Sequence, residues 1–162
     1  MKEIILASKS QFRARMLKNA GLDICQQAAD LDERSIEQPL IKSQINGGDI
    51  AAVLAIEKAR HVSNFNQDSI VIGSDQTLVF DGKLLHKPAS MAEAQARLLD
   101  FSGRAHELNS AVAMVQNGEI LWRHVDHATI TFRKLSPEFI SSHLADVGEK
   151  ILSSVGAYQI EA

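Results

Sequence analysis

Residues 69–85 read S-I-V-I-G-S-D-Q-T-L-V-F-D-G-K-L-L, and this stretch decides the expected fold. The first apolar run, residues 69–73, is typical of a buried strand, and the polar residues 74–76 are expected to end it. A second apolar run then meets residues 83–85 across Asp81-Gly82, a dipeptide strongly favoured in two-residue β-hairpin turns. The sheet therefore has an antiparallel component.

The segments before this stretch alternate between strand and helix patterns. Residues 4–7 form a short apolar run, and residues 11–19 repeat apolar side chains at helical spacing, with Ser10 as the expected N-cap. A second helix is predicted over residues 49–64, where apolar side chains recur on one face. Residues 26–48 between the two helices are polar and contain proline and glycine, which favours an irregular, mobile loop.

The segments after it complete a mixed sheet. Ser90 and Glu93 fit a capping box for a helix that runs to about Phe101. Residues 105–132 alternate like a β-meander, and Pro137 is expected at the first position of a last helix. This order predicts an α/β fold with a mixed, partly antiparallel central sheet flanked by helices, rather than a doubly wound parallel sheet.

Composition bounds the classes of protein to consider. The chain has 162 residues, 45% of them hydrophobic and 23% charged, with 9 Gly and 3 Pro, which predicts one folded domain over residues 1–162. Lys and Arg total 17 against 20 Asp and Glu, so no global field would attract nucleic acid or an anionic membrane. No apolar run is long enough for a signal peptide or a membrane span, and the lone Cys25 fits a reducing compartment. We therefore expect a soluble, cytoplasmic protein.

The turn between the first strand and the first helix is a candidate anion site. Ser8, Lys9, Ser10 and Arg13 place two hydroxyls and two cations at a helix N-terminus, where free amides suit phosphate oxygens. The simpler interpretation is that Ser10 only caps the helix and Arg13 is solvated. The spacing alone favours that simpler interpretation.

Asp75 is the candidate catalytic group. A carboxylate at the end of a buried strand could ligate a cation such as Mg²⁺ or accept a proton from water. An ordinary turn is the simpler alternative for Asp75. Lys87 could reach a phosphate or be an ordinary surface lysine. Lys58 could lie on the solvent side of its helix. Asp32-Glu33 could supply a second carboxylate.

Short motifs follow one another along nearly the whole chain. They are Leu6-Ala7-Ser8-Lys9-Ser10-Gln11-Phe12-Arg13, Asp32-Glu33, Lys58-Ala59, Gly73-Ser74-Asp75-Gln76, Lys87-Pro88, Ser102-Gly103-Arg104 with His106, and Gly156-Ala157-Tyr158-Gln159-Ile160. Each motif is common, but the ordered set resembles the Maf family of nucleoside triphosphate pyrophosphatases.

The resemblance implies a Maf/ITPase-like fold and a reaction. The family cleaves between the α and β phosphates of a nucleotide, releasing pyrophosphate and a nucleoside monophosphate with a divalent cation, Mg²⁺ or Mn²⁺. Asp75 would be the catalytic carboxylate and, with Glu33, a metal ligand. The implied substrate-binding residues are Ser8, Ser10, Arg13, Lys58, Gln76, Lys87 and Glu161. A homodimer is expected from the resemblance alone, and the chain is expected to be C-terminally truncated because the family continues past the last motif.

The implied nucleobase is left open, with a lean towards 7-methyl-GTP. Ser74 and Gln76 depart from the commoner family pattern, and residues 132–136 with Glu161 look like the branch associated with 7-methyl-GTP. His106 and residues 158–160 look like the dTTP/UTP branch. Two other classes of function compete with the enzyme: a non-catalytic nucleotide-binding regulator of cell division and septum formation, and a protein-interaction domain in which these residues are caps and turns.

Overall fold

The computed structural model describes residues 2–158, and that part of the chain contains five α-helices and six strands. In chain order they are β1 (Ile4–Leu6), α1 (Gln11–Asn19), β2 (Cys25–Gln26), α2 (Glu33–Lys42), α3 (Gly47–Ser63), β3 (Ile70–Phe80), β4 (Lys83–Leu85), α4 (Met91–Phe101), β5 (Ala105–Gln116), β6 (Glu119–Thr131) and α5 (Pro137–Val147), followed by a 3₁₀-helix (Gly148–Ser153). No helix within residues 2–158 is both long and apolar enough to cross a membrane.

The six strands form one sheet in the order β2-β1-β3-β5-β6, with β4 also paired to β3. β1 pairs in parallel with both β2 and β3, whereas β4 runs antiparallel to β3, with Phe80 opposite Lys83. The turn residues Asp81 and Gly82 have φ of 50° and 72°, as a type I′ hairpin turn requires. The prediction of a mixed α/β fold with a partly antiparallel sheet flanked by helices is confirmed.

Local signals set most of the helix ends. Ser10, Ser90 and Ser136 are N-caps, and each side-chain oxygen accepts a hydrogen bond from a backbone N–H three residues on. Pro137 occupies the first turn of α5, where its missing N–H costs nothing. These elements lie where the sequence places them.

The prediction of an irregular loop over residues 26–48 is wrong. This segment contains α2 and the start of α3, each with its own polar N-cap, Asp32 for α2 and Asn46 for α3. Pro39 lies inside α2, although its ring removes a backbone donor. Tertiary packing therefore outweighs the helix-breaking signals on which the loop prediction rested.

The prediction that β3 stops before residue 74 is also wrong. β3 is one continuous strand of 11 residues, and Ser74, Asp75 and Gln76 are part of it. Pairing of β3 with its neighbours fixes these polar residues in extended backbone. Asp75 therefore lies within a strand and not in a turn.

The chain divides into two compact units. The first runs to Gln76 and includes Ser110–Asp126, and the second comprises Thr77–Asn109 and the chain from His127 onward. The prediction of a single domain over residues 1–162 stays a prediction.

In the first unit, the side-chain alternation of the strands builds two cores. Leu6, Ile72 and Met114 pack with Ala14 of α1, whereas Ile5, Val71 and Val115 pack with Ala59 and Val62 of α3. Because successive side chains on a strand point to opposite faces, α1 and α3 cover opposite faces of this part of the sheet.

The second unit has its own apolar core. Ala94 and Leu98 of α4 pack with Ile140 and Leu144 of α5 and with Ile151 of the 3₁₀-helix. The fully buried Phe101 packs with Leu78 and Phe80 of β3. An aromatic cluster of Phe101, Phe132, His106 and Tyr158 adjoins this core.

Candidate active site

Gly73 allows α3 to approach β3 closely enough to form the site. A Cβ atom at residue 73 would lie 2.0 Å from the backbone oxygen of Ala55 and 2.8 Å from the backbone nitrogen of Ala59. Only glycine fits against the helix backbone at this distance. The contact brings Lys58, next to Ala59, towards Asp75, two residues after Gly73.

Lys58 lies between two carboxylates. Its Nζ is 2.5 Å from Asp75 Oδ1 and 2.9 Å from Glu33 Oε2. The side chains of Lys58 and Asp75 are each only 11% exposed, whereas Glu33 is 49% exposed. The possibility that Lys58 lies on the solvent side of its helix is therefore excluded by its burial.

Asp75 has an altered proton affinity. Burial raises the pKa of the Asp75 carboxyl above its ordinary value, and the nearby charge of Glu33 acts in the same direction. The ammonium of Lys58 and the guanidinium of Arg13 oppose this rise in the pKa, although burial outweighs them. A buried carboxylate with a raised pKa is suited to accept a proton.

Glu33 reaches the site from the N-terminus of α2. Asp32 caps that helix by accepting a hydrogen bond from the N–H of Ser35, so Glu33 begins the first turn. The two neighbouring carboxylates thus have different roles: Asp32 caps the N-terminus of α2, and Glu33 contacts Lys58. The segment predicted as a loop is in fact the helix that supplies this group.

The turn between β1 and α1 is held by Arg13. Its Nη1 donates to the carbonyl oxygen of Ser74 at 2.9 Å and to Ser8 Oγ at 3.4 Å. Ser10 Oγ accepts from the N–H of Arg13, and Ser8 Oγ accepts from the N–H of Ser10. The capping interpretation is thus correct for Ser10, but Arg13 is tied to the backbone next to Asp75 rather than solvated.

Two further polar groups steady the first unit at this point. Gln26 in β2 donates its side-chain amide to the carbonyl oxygens of Ser8 and Ser10, at 3.1 and 3.3 Å. Gln76 is exposed and donates to Ser110 Oγ at 2.9 Å. Neither Gln26 nor Ser110 could be predicted from the sequence, because both contacts depend on strands that meet only in the folded sheet.

The remaining predicted residues lie elsewhere. Lys87 is exposed in the second unit, between β4 and α4, and Glu161 lies outside the described residues. The structure thus brings together Ser8, Ser10, Arg13, Glu33, Lys58 and Asp75 in the first unit, with Gln76 next to Asp75 on the same strand.

The carboxylates of Asp75 and Glu33 suit a divalent cation in part. Within residues 2–158, no group of three or more His, Cys, Asp or Glu side chains is placed to hold a metal ion. Mg²⁺ is usually bound by one or two carboxylates together with water and substrate phosphates. Two carboxylates that already share one cationic partner, Lys58, fit that pattern.

Comparison with known protein families identifies the family of this chain. The family model described as "Maf-like protein" matches residues 3–162, and the chain belongs to the Maf family. The resemblance seen in the motifs is therefore confirmed.

Curated relatives align with almost the whole chain. A 7-methyl-GTP pyrophosphatase from Rhizobium meliloti (strain 1021) is 51% identical over 98% of this chain and 79% of the relative. A nucleoside triphosphate pyrophosphatase from Nitrobacter winogradskyi is 44% identical over 98% of this chain and 77% of the relative. Among solved structures, a HAM1 protein from Coxiella burnetii matches with a TM-score of 0.46 and 21% identity, over 80% of this chain and 71% of that one.

Proposed function

We propose that this protein is a nucleoside triphosphate pyrophosphatase, which hydrolyses the α–β phosphoanhydride bond to give a nucleoside monophosphate and pyrophosphate. The observation that carries the proposal is the buried Asp75 carboxyl, with its raised pKa, in contact with Lys58. Relatives named as pyrophosphatases of 7-methyl-GTP and of nucleoside triphosphates support the choice of reaction.

Asp75 is the proton acceptor in this proposal. A water oxygen forms the new bond to phosphorus, the α–β anhydride bond breaks, and the proton of the water passes to Asp75. The Lys58 ammonium orients the carboxylate through its 2.5 Å contact and stabilises its charged form. A carboxyl whose pKa is raised accepts this proton more readily than an exposed one would.

The turn between β1 and α1 binds phosphate oxygens in this proposal. Ser8 Oγ already accepts two hydrogen bonds, so its own O–H is the group that would donate to a phosphate oxygen. Ser10 caps α1, whose N-terminal amides add a positive partial charge. Arg13 keeps this turn next to the strand that carries Asp75.

Asp75 and Glu33 would hold a divalent cation, Mg²⁺ or Mn²⁺, when substrate is present. Such a cation neutralises charge that develops on the phosphate oxygens. Both carboxylates contact the Lys58 ammonium, so they lie close enough together to share one cation. Lys87 and Glu161 belong to the proposed substrate-binding set on the resemblance alone.

For the nucleobase, we propose 7-methylguanine, with thymine and uracil as the competing choices. Identity of 51% to a relative named 7-methyl-GTP pyrophosphatase supports this choice. A cytoplasmic location and a homodimer are expectations that follow the same family relationship.

The test is a product assay on a panel of triphosphates that includes 7-methyl-GTP, dTTP and UTP, with Mg²⁺ or Mn²⁺. We expect equimolar pyrophosphate and nucleoside monophosphate, with the highest kcat/KM for 7-methyl-GTP. Release of orthophosphate and nucleoside diphosphate would contradict the proposed bond cleavage. Saturable nucleotide binding without turnover would instead favour the regulator, and a preference for dTTP or UTP would overturn only the choice of base.

A further inference from the structure

Arg97 is a buried charged residue in α4 that the proposed chemistry does not use. It is only 8% exposed, and burial lowers its pKa while Glu93 and Asp100 oppose the change. A guanidinium stays charged in proteins, so burying Arg97 requires compensating partners. Those partners show what the residue does.

Arg97 joins two segments of the second unit that are far apart in sequence. Its Nη1 donates to the carbonyl oxygens of His86 and Val155, and its Nη2 donates to Glu93 Oε1 at 2.9 Å. A planar guanidinium can donate hydrogen bonds to several acceptors at once in fixed directions, whereas the donors of a lysine ammonium rotate freely.

The contacts of Arg97 bracket Lys87. His86, immediately before Lys87, is bound directly through its carbonyl oxygen. Ala89 is bound indirectly, because its N–H donates at 2.8 Å to Glu93 Oε2. The backbone is therefore fixed on both sides of Lys87, while the Lys87 side chain is exposed.

The second segment bound by Arg97 begins a tight turn. After Val155, the N–H of Ala157 donates to the carbonyl oxygen of Ser154 at 3.3 Å, and Ser154 Oγ donates to the carbonyl oxygen of Tyr158 at 2.6 Å. The Tyr158 hydroxyl lies 2.7 Å from His106 Nε2. Arg97 thus ties the Lys87 segment to a turn that is itself closely held.

We propose that Arg97 is a positioning residue for the triphosphate, which fixes the backbone around Lys87 so that its ammonium is held for phosphate binding. The inference rests on the proposed function, since Lys87 has a ligand only if the protein binds a nucleotide. Arg97 itself touches no substrate and acts entirely through Lys87.

The test is a double-mutant cycle between Arg97→Met and Lys87→Ala. Nucleotide dissociation constants are measured by calorimetry in an Asp75→Asn background, which prevents turnover, and kcat and KM are measured in the native background. Each single variant should weaken binding about tenfold, the size of one lost charge-assisted hydrogen bond. The double variant should bind no more than about twofold more weakly than Lys87→Ala, because residues that act as one unit are not additive.

The matched control is Arg60→Met, which removes an exposed arginine from the ion pair with Glu57 and should leave nucleotide binding unchanged. Thermal unfolding of every variant separates a folding defect from a binding defect. If Arg97→Met does not fold, Arg97→Lys and Glu93→Ala each replace it in a cycle with Lys87→Ala. Each should weaken nucleotide binding less than Arg97→Met would, with the same non-additivity.

The outcomes separate this inference from the proposed function. Additive losses, about hundredfold in the double variant, or unchanged binding by Arg97→Met would overturn the positioning role while turnover still supports the enzyme. Non-additive binding losses in a protein that hydrolyses no triphosphate would overturn the enzyme and support the positioning role. A chain that binds no nucleotide would overturn both.

Discussion

Lys58 Nζ lies 2.5 Å from Asp75 Oδ1, and this contact joins α3 to β3 where both side chains are only 11% exposed. Removing one partner of a buried ion pair leaves the other uncompensated, at a cost of about 3–5 kcal/mol. The Lys58 ammonium therefore helps to stabilise the charged form of Asp75, whose pKa it lowers.

Asp75→Asn should abolish pyrophosphate release while the chain stays folded, because asparagine has nearly the same shape but cannot accept the proton from water. We expect kcat to fall by at least about a hundredfold, as is typical when a general base is removed. Steady-state assays check this result. Asp81→Asn makes the same change at an exposed turn and should retain activity; an active Asp75→Asn enzyme would remove Asp75 from the proposed role.

Lys58→Met should raise the pKa of Asp75 further, because the ammonium lowers that pKa in the native protein. The ionised, proton-accepting form of Asp75 then persists only at higher pH, so the acidic limb of kcat/KM should move to higher pH. A titration of Asp75 by NMR, with ¹³C-labelled aspartate, measures the shift without relying on activity. An unchanged or lower pKa would show that Lys58 does not stabilise the carboxylate.

Gly73→Ala should destabilise the protein and lower its activity together. The added methyl would meet the backbone of Ala55 and Ala59, so α3 must move away from β3 and carry Lys58 from Asp75. We expect a loss of about 3 kcal/mol in the free energy of unfolding, at the upper end for overpacking. Gly21→Ala is the control, because a Cβ atom at residue 21 would meet nothing within 4 Å among the described residues apart from its chain neighbours. Its φ of 84° is unfavourable for alanine and costs about 1 kcal/mol, but activity should persist.

Ser74→Ala should stabilise the protein. Within residues 2–158, Ser74 Oγ is buried and has no hydrogen-bond partner, so its removal relieves a desolvation cost of about 1 kcal/mol. Ser63→Ala is the matched control, because Ser63 is also buried but its Oγ accepts from the N–H of Gly118 at 3.1 Å. Chemical denaturation should therefore give changes of opposite sign for the two variants, and destabilisation by both would show that Ser74 Oγ has a partner.

Protonation of His106 should make the protein less stable as the pH falls. Burial lowers the pKa of this imidazole, so the folded state binds its proton less readily than the unfolded state. The contribution of neutral His106 is fully present above the unfolded pKa of about 6.5 and is lost as pH falls below it. The unfolding temperature should differ less between pH 7.5 and pH 5.5 for His106→Phe than for the native chain. An equal difference in the two proteins would show that His106 does not cause the loss of stability.

Helix and hairpin signals that act within a few residues were predicted correctly. Ser10 and Ser90 cap their helices, and Asp81-Gly82 makes its turn, because each depends on neighbouring backbone groups. One detail differs at α4: Glu93 reaches back to the N–H of Ala89 rather than to that of Ser90.

Features that depend on distant partners were missed. The sequence did not reveal that β3 continues through Asp75, because pairing with the neighbouring strands overrides the local preference of polar residues for turns. Nor could it show that Lys58 is buried, since its partner Asp75 is 17 residues away. The helix α2 does have a local signal in Asp32 as an N-cap, but Pro39 favours a break in a helix and points the other way.

The single cysteine provides a natural place for a spectroscopic reporter. Cys25 is exposed in β2, next to Gln26, whose amide holds the carbonyl oxygens of Ser8 and Ser10. A hydrogen bond from the thiol to Glu3 raises the pKa of Cys25, so labelling by a maleimide proceeds faster in mildly alkaline buffer than at neutral pH. A fluorophore attached there would sense changes in the phosphate-binding turn from outside it, and nucleotide arrival could be followed in real time without any amino-acid substitution.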